Sequence, residues 1–132
     1  MTIKSQDLYP SYEEPFYGPS DYSPILDSFG KILVQVDDED YQGDSRVLYF
    51  KDGLYGYLNF GWGSCSGCDS LQACESHSEI QELIDGLEKD IMWLNKEEML
   101  KFFKERDWEG QYSWHIEETK KFVEEVINYL EN

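Results

Sequence analysis

The rhythm of apolar and polar positions changes twice along the chain, and each stretch predicts a different structure. Up to residue 29 there is no regular period. The stretch "YPSYEEPFYGPSDYSP" sets all four prolines (Pro10, Pro15, Pro19, Pro24) among Tyr9, Tyr12, Phe16, Tyr17 and Tyr22. Proline disfavours helix at the residue before it, so residues 1–29 predict an extended Tyr/Pro-rich arm, packed on or flanking a domain over 30–132. From Gly30 the runs are short, β-branched and aromatic: "KILVQV" (31–36), "SRVLYFK" (45–51) and "LYGYLNFGW" (54–62). Asp52-Gly53 is a tight hairpin signal between the last two, and the three runs predict an antiparallel meander.

After the third strand the period becomes helical. Ile80, Leu83, Ile84, Leu87, Ile91 and Leu94 form one apolar stripe, with Ser76 and Glu79 in capping-box spacing before it. Asn95 and Glu98 repeat that signature before "KEEMLKFFKER", where Met99, Phe102 and Phe103 make the buried face. "DWEGQYSWH" (107–115) predicts a loop or short edge strand, and a last helix runs from about Ile116 to Leu130 with Val123, Val126, Ile127 and Leu130 inward. Strands followed by three to four helices predict an α+β fold.

The length of 132 residues suits one domain with one core, and 40% hydrophobic content is globular. Charge narrows the functions. Against 28 acidic side chains stand 11 basic ones, a net charge of −17. Phosphates would be repelled, so direct nucleic-acid binding is excluded and a basic partner is the natural complement. The start "MTIKSQDLYPSYEEPFYG" lacks the basic-then-apolar order of a secretion signal, and no run has the length of a membrane span, so the expectation is a soluble intracellular protein.

All three cysteines fall within "GWGSCSGCDSLQACESH" (61–77), spaced Cys65-x2-Cys68-x5-Cys74-x2-His77. Structural disulfides are rare inside cells and three is an odd number. Three thiolates and an imidazole match the tetrahedral preference of zinc, and a C-x2-C turn places two sulfurs on one ion. His77 lies about one helical turn past Cys74, while His115 is the alternative fourth ligand. A site with four protein ligands would be structural, adding folding energy rather than catalysis. Buried thiols are the plainer alternative. A redox pair at Cys65 and Cys68 resembles the thioredoxin loop only superficially, because no proline follows Pro24 to face it. No lysine or arginine lies between Lys51 and Lys89, so little but a metal would lower the thiol pKa values, which disfavours a thiol nucleophile.

The acidic residues form three clusters. Asp37, Asp38, Glu39 and Asp40 precede Asp44; Glu79, Glu82, Asp85 and Glu88 lie along the first long helix; Glu117, Glu118, Glu124 and Glu125 lie on the last. "DDEDYQGD" lacks the spacing and closing glutamate of a calcium loop. Each cluster is either a solvated face or part of a surface that mimics a phosphate backbone for a basic channel. Asp37, Asp38, Glu39, Asp40, Glu79, Glu82 and Asp85 are the candidate partner-binding residues.

At "YQGDSRVLYFKDGLYGYLNFGWGSCSGCDSLQAC", followed by "DWEGQYSWH", the chain resembles small acidic proteins encoded by phages and mobile elements, over roughly residues 41 to 130. Among these it is similar to zinc-containing anti-CRISPR inhibitors of the type II RNA-guided nuclease. The resemblance implies a non-enzymatic binder in the bacterial host cytoplasm that blocks nuclease lobes or DNA loading. It also implies Cys65, Cys68, Cys74 and one histidine as metal ligands. The rival expectations are a zinc-stabilised accessory protein without a basic partner, and a thiol or redox enzyme using Cys65 and Cys68.

Overall fold

The second strand, β2 (Gly43–Lys51), is buried on both faces from Ser45 to Tyr49, so it must lie between two layers. The computed structural model describes residues 3–63, 69–108 and 115–132. Within them an antiparallel sheet runs in the order β1 (Lys31–Asp37), β2, β3 (Leu54–Trp62), β4 (Met92–Leu94). The hairpin between β2 and β3 is the one Asp52-Gly53 predicts. Both residues take positive φ, 53° and 82°, and pairing is continuous from Lys51↔Leu54 to Gly43↔Trp62.

The period of 2 sends alternate side chains to opposite layers. Val47, Tyr49, Leu58 and Phe60 face one core, which holds Ile80, Ile84 and Leu87 of α3 (His77–Asp90). The same core takes Tyr9, Tyr22, Ile25, Leu26 and Phe29 from the N-terminal segment. Val36 and Leu48 face the other core, with Met99 and Phe103 of α4 (Lys96–Glu105) and Phe122, Val126 and Leu130 of α5 (Ile116–Glu131). Each fully buried side chain of this size adds about 1.5–3 kcal/mol against exposure, so the N-terminal segment is a structural part of its layer.

The α+β class agrees with the sequence reading, and three details differ. The sheet has four strands rather than three. Ile91 and Leu94 continue the helical stripe in sequence, but α3 stops at Asp90 and Met92–Leu94 pairs with Tyr55–Tyr57. Those four residues also satisfy a period of 2: Ile91 and Trp93 enter the first core, Met92 and Leu94 the second. Gly56 opens the space, since a Cβ there would stand 2.7 Å from the Trp93 ring.

Second, the N-terminal segment is not wholly extended. It contains α1 (Ser5–Leu8) and α2 (Ser23–Ser28), the latter with Pro24 in its first turn, where the missing N–H costs nothing. Third, the buried face of α5 is Thr119, Phe122, Val126 and Leu130, with Val123 and Ile127 half-buried. The helix starts α3 and α4 are capped as expected: Ser76 accepts from the Glu79 N–H (3.2 Å) and Asn95 from the Glu98 N–H (2.8 Å). In the 107–115 stretch, residues 109–114 lie outside the described residues.

Candidate functional site

The cysteine-bearing stretch begins where β3 ends, and hydrogen bonds close its base. Gly63 donates its N–H to Asp69 Oδ1 (3.1 Å), and its carbonyl accepts from Gln72 Nε2 (2.9 Å). Asp69 is buried, and it also accepts from the Tyr22 hydroxyl (2.9 Å) and the Gln72 N–H (2.9 Å). One carboxylate therefore joins both ends of the loop and ties them to the N-terminal segment. Cys65 and Cys68, and with them half of the expected zinc set, lie outside the described residues.

The N-terminal segment then straps down residues 71–77. A Cβ on Gly18 would stand 2.0 Å from the Leu71 carbonyl oxygen, so only glycine permits this approach. Phe16 donates its N–H to the Glu75 carbonyl (3.2 Å), and the His77 N–H donates to Glu14 Oε1 (2.7 Å).

Under the strap, Cys74 belongs to the first apolar core and donates from Sγ to the Ser70 carbonyl (3.3 Å). Burial, then the charges of Glu79, Asp69 and Glu82, push its thiol up to about 11. Thiol catalysis requires the opposite shift. His77 donates from Nε2 to the Tyr12 carbonyl (3.0 Å), which leaves Nδ1 of the neutral ring to accept from the Ser5 hydroxyl (2.8 Å). Both nitrogens of His77 thus hold the strap, and a metal would have to displace one of these partners.

His115 sits elsewhere, at the start of α5 in left-handed backbone geometry (φ 55°, ψ 40°). Its ring faces the β1–β2 loop, with Nε2 3.8 Å from Asp38 Oδ2 and 3.6 Å from Asp40 Oδ2, and Nδ1 3.7 Å from Glu118 Oε2. Among the described residues, Asp38, His115 and Glu118 are the one group of three with metal-ligand atoms close together, all within 4.8 Å of one another. Among the described residues neither Cys74 nor His77 belongs to such a group.

The acidic candidates separate in space. Asp37, Glu39 and Asp40 are exposed at the end of the sheet, and Glu79, Glu82 and Asp85 are exposed on α3, in the layer opposite α5. Asp38 does not share that exposure. It is 4% exposed, and Oδ1 accepts from Arg46 Nη1 (2.8 Å) while Oδ2 accepts from the Asp44 N–H (2.7 Å). As a partner contact it is a correction: a buried, paired carboxylate cannot meet a docking surface. Burial raises the Asp44 pKa, with the Asp38 charge adding to it and Arg46 opposing it.

Sequence reasoning missed four residues that organise this region: Asp69, Glu14, Gly18 and Arg46. Arg46 carried a signal, being the one basic residue between Lys31 and Lys51, inside an apolar strand run that demands a carboxylate partner. Asp69 carried none beyond its place beside Cys68. No family model, curated protein or solved structure matches the chain at a significant level.

Proposed function

We propose that this protein is a non-enzymatic inhibitory binder of the anti-CRISPR kind, of phage or mobile-element origin, acting in the cytoplasm of a bacterial host. Its partner is the basic nucleic-acid channel of a type II RNA-guided DNA nuclease. The supporting observation is the convergence of two acidic clusters that are 77 or more residues apart in sequence. Asp37 and Glu39 from the end of β1 line one cleft of about 230 Å³ with Glu117 and Glu118 from the start of α5, and among the described residues Lys121 is the one cation lining it. Such nucleases hold nucleic acid in positively charged channels, so a face of this sign is complementary and would speed encounter. The α3 carboxylates form a second face in the other layer, and the β1–α5 end is the one this proposal uses.

A non-catalytic role is in keeping with Cys74, whose environment disfavours the thiolate. A structural zinc remains part of the proposal at Cys65 and Cys68, the thiols of the C-x2-C turn. Cys74 would join them only by giving up the Ser70 carbonyl, and His77 only by releasing Tyr12 or Ser5; His115, the alternative fourth ligand, faces Asp38, Asp40 and Glu118. Among the described residues no helix is long and apolar enough to cross a membrane. The experiment that tests the proposal is binding to the purified nuclease across a salt series. Salt-sensitive binding that competes with target DNA supports it; no binding at low salt leaves an accessory protein without a basic partner.

A further inference from the structure

The geometry points to a divalent transition-metal site formed by Asp38, His115 and Glu118, with Asp40 beside it. Three features carry the inference. The first is the donor set: one imidazole and two carboxylates, brought from the β1–β2 loop and the first turn of α5 to within 4.8 Å of one another. Imidazole with carboxylate suits first-row ions such as Mn2+ and Zn2+, whereas Ca2+ and Mg2+ prefer all-oxygen shells.

The second is the spacing. Nε2 of the imidazole stands 3.8 Å from Asp38 Oδ2 and 3.6 Å from Asp40 Oδ2, while Nδ1 faces Glu118 Oε2 at 3.7 Å. Ligand atoms sharing one ion at about 2.1 Å stand roughly 3.4 Å apart in a tetrahedron. An ion on Nε2 therefore needs only a few tenths of an ångström of closure from Asp38 and Asp40, and Glu118, which faces the other ring nitrogen, closes from within 4.8 Å.

The third is preorganisation. Asp38 is fixed by Arg46 and the Asp44 N–H, a second layer of hydrogen bonds of the kind that orients ligands in metal centres. Four carboxylates (Asp38, Asp40, Asp44, Glu118) meet Arg46 and, beside Glu118, Lys121, so the region holds surplus negative charge for a dication to balance. An ion here would bridge the β1–β2 loop to α5 and make that end of the molecule rigid.

The test uses Mn2+ on the full wild-type chain, because Mn2+ favours nitrogen and oxygen over thiolate and so ignores the cysteines. The chain has two histidines, and His77 serves as the internal control in the other layer. Imidazole NMR signals are followed as Mn2+ rises to about 1 mM. The expected result is broadening of His115 at sub-stoichiometric Mn2+ with His77 sharp, reversed by excess Zn2+. Glu118→Gln should raise the Mn2+ required by at least ~10-fold, since losing a ligand costs no less than losing an outer-shell partner. A sharp His115 throughout, equal broadening of both histidines, or an unchanged response in Glu118→Gln overturns the site. If the variant fails to fold, the contrast between His115 and His77 in the wild-type chain still decides.

Discussion

Replacing Asp69 with alanine should destabilise the protein more than any other single change in the cysteine-bearing stretch that involves no cysteine. The carboxylate accepts three hydrogen bonds, from Tyr22, Gly63 and Gln72, and is 3% exposed. Bonds to a charged acceptor each contribute about 1.5–3 kcal/mol, and donors left buried without a partner cost about 1–3 kcal/mol each. These terms overlap, so about 3–5 kcal/mol is expected for the whole group. Against a total stability of about 5–15 kcal/mol, that is a fifth or more. Urea unfolding followed by tryptophan fluorescence would measure it, with chelator in every sample so that metal loss cannot mimic the effect. Tyr22→Phe removes one of the three bonds, and with it the acceptor of the Leu71 N–H (3.3 Å), and should cost about 1.5–3 kcal/mol. The double variant should lose about 1.5–3 kcal/mol less than the sum, since both changes delete the same bond. A loss below about 1 kcal/mol for Asp69→Ala would refute the assignment of this carboxylate as the clamp of the loop.

Three further outcomes follow from the same geometry. Gly18→Ala drives a Cβ against the Leu71 carbonyl at 2.0 Å, so the strap must lift; a loss of about 1–3 kcal/mol and faster proteolysis within residues 10–20 are expected, and an unaltered melt contradicts it. Arg46→Met leaves Asp38 buried without its cation and should cost about 3–5 kcal/mol, whereas Arg46→Met with Asp38→Leu should recover much of the loss. Burial raises the pKa values of Tyr9, Tyr22 and Tyr49 above the ordinary 10.0, and that of Cys74 from 9.0 to about 11. The folded chain keeps protons that the unfolded chain releases, so this contribution is complete below pH 9 and is lost as pH rises through the raised values. Chemical denaturation midpoints should therefore fall steadily above that pH, and a flat profile to pH 11 contradicts the burial of these groups.

The elements that local chemistry dictates were legible in the sequence. Asp52-Gly53 specifies its hairpin because two adjacent positive φ angles admit few other residues, and Ser76 and Asn95 mark helix starts because their side chains accept from orphan N–H groups. What tertiary contact decides was not legible. Ile91–Leu94 satisfies both a helical and a strand period, and only the open edge of β3 with the gap at Gly56 selects the strand. Pro24 stands in the first turn of α2 rather than ending it. The candidate site divided for the same reason. Residue spacing placed His77 one turn from Cys74, but its ring is turned to Ser5 and Tyr12, partners 65 or more positions away. The meeting of Asp37 and Glu39 with Glu117 and Glu118 is likewise a product of α5 packing beside β1, which no local pattern announces.

The central claim concerns the acidic end formed by β1 and α5, and one binding measurement tests it most directly. Wild-type protein and two charge-reversed variants would be titrated onto a guide-loaded type II RNA-guided nuclease between about 50 and 200 mM salt. One variant carries Asp37→Lys, Glu39→Lys and Glu117→Lys; the other carries Glu79→Lys, Glu82→Lys and Asp85→Lys on α3. The expected result is wild-type binding that weakens with salt, falls at least ~10-fold in the first variant, and changes far less in the second. Absence of wild-type binding at the lowest salt, or equal loss in both variants, would contradict the account.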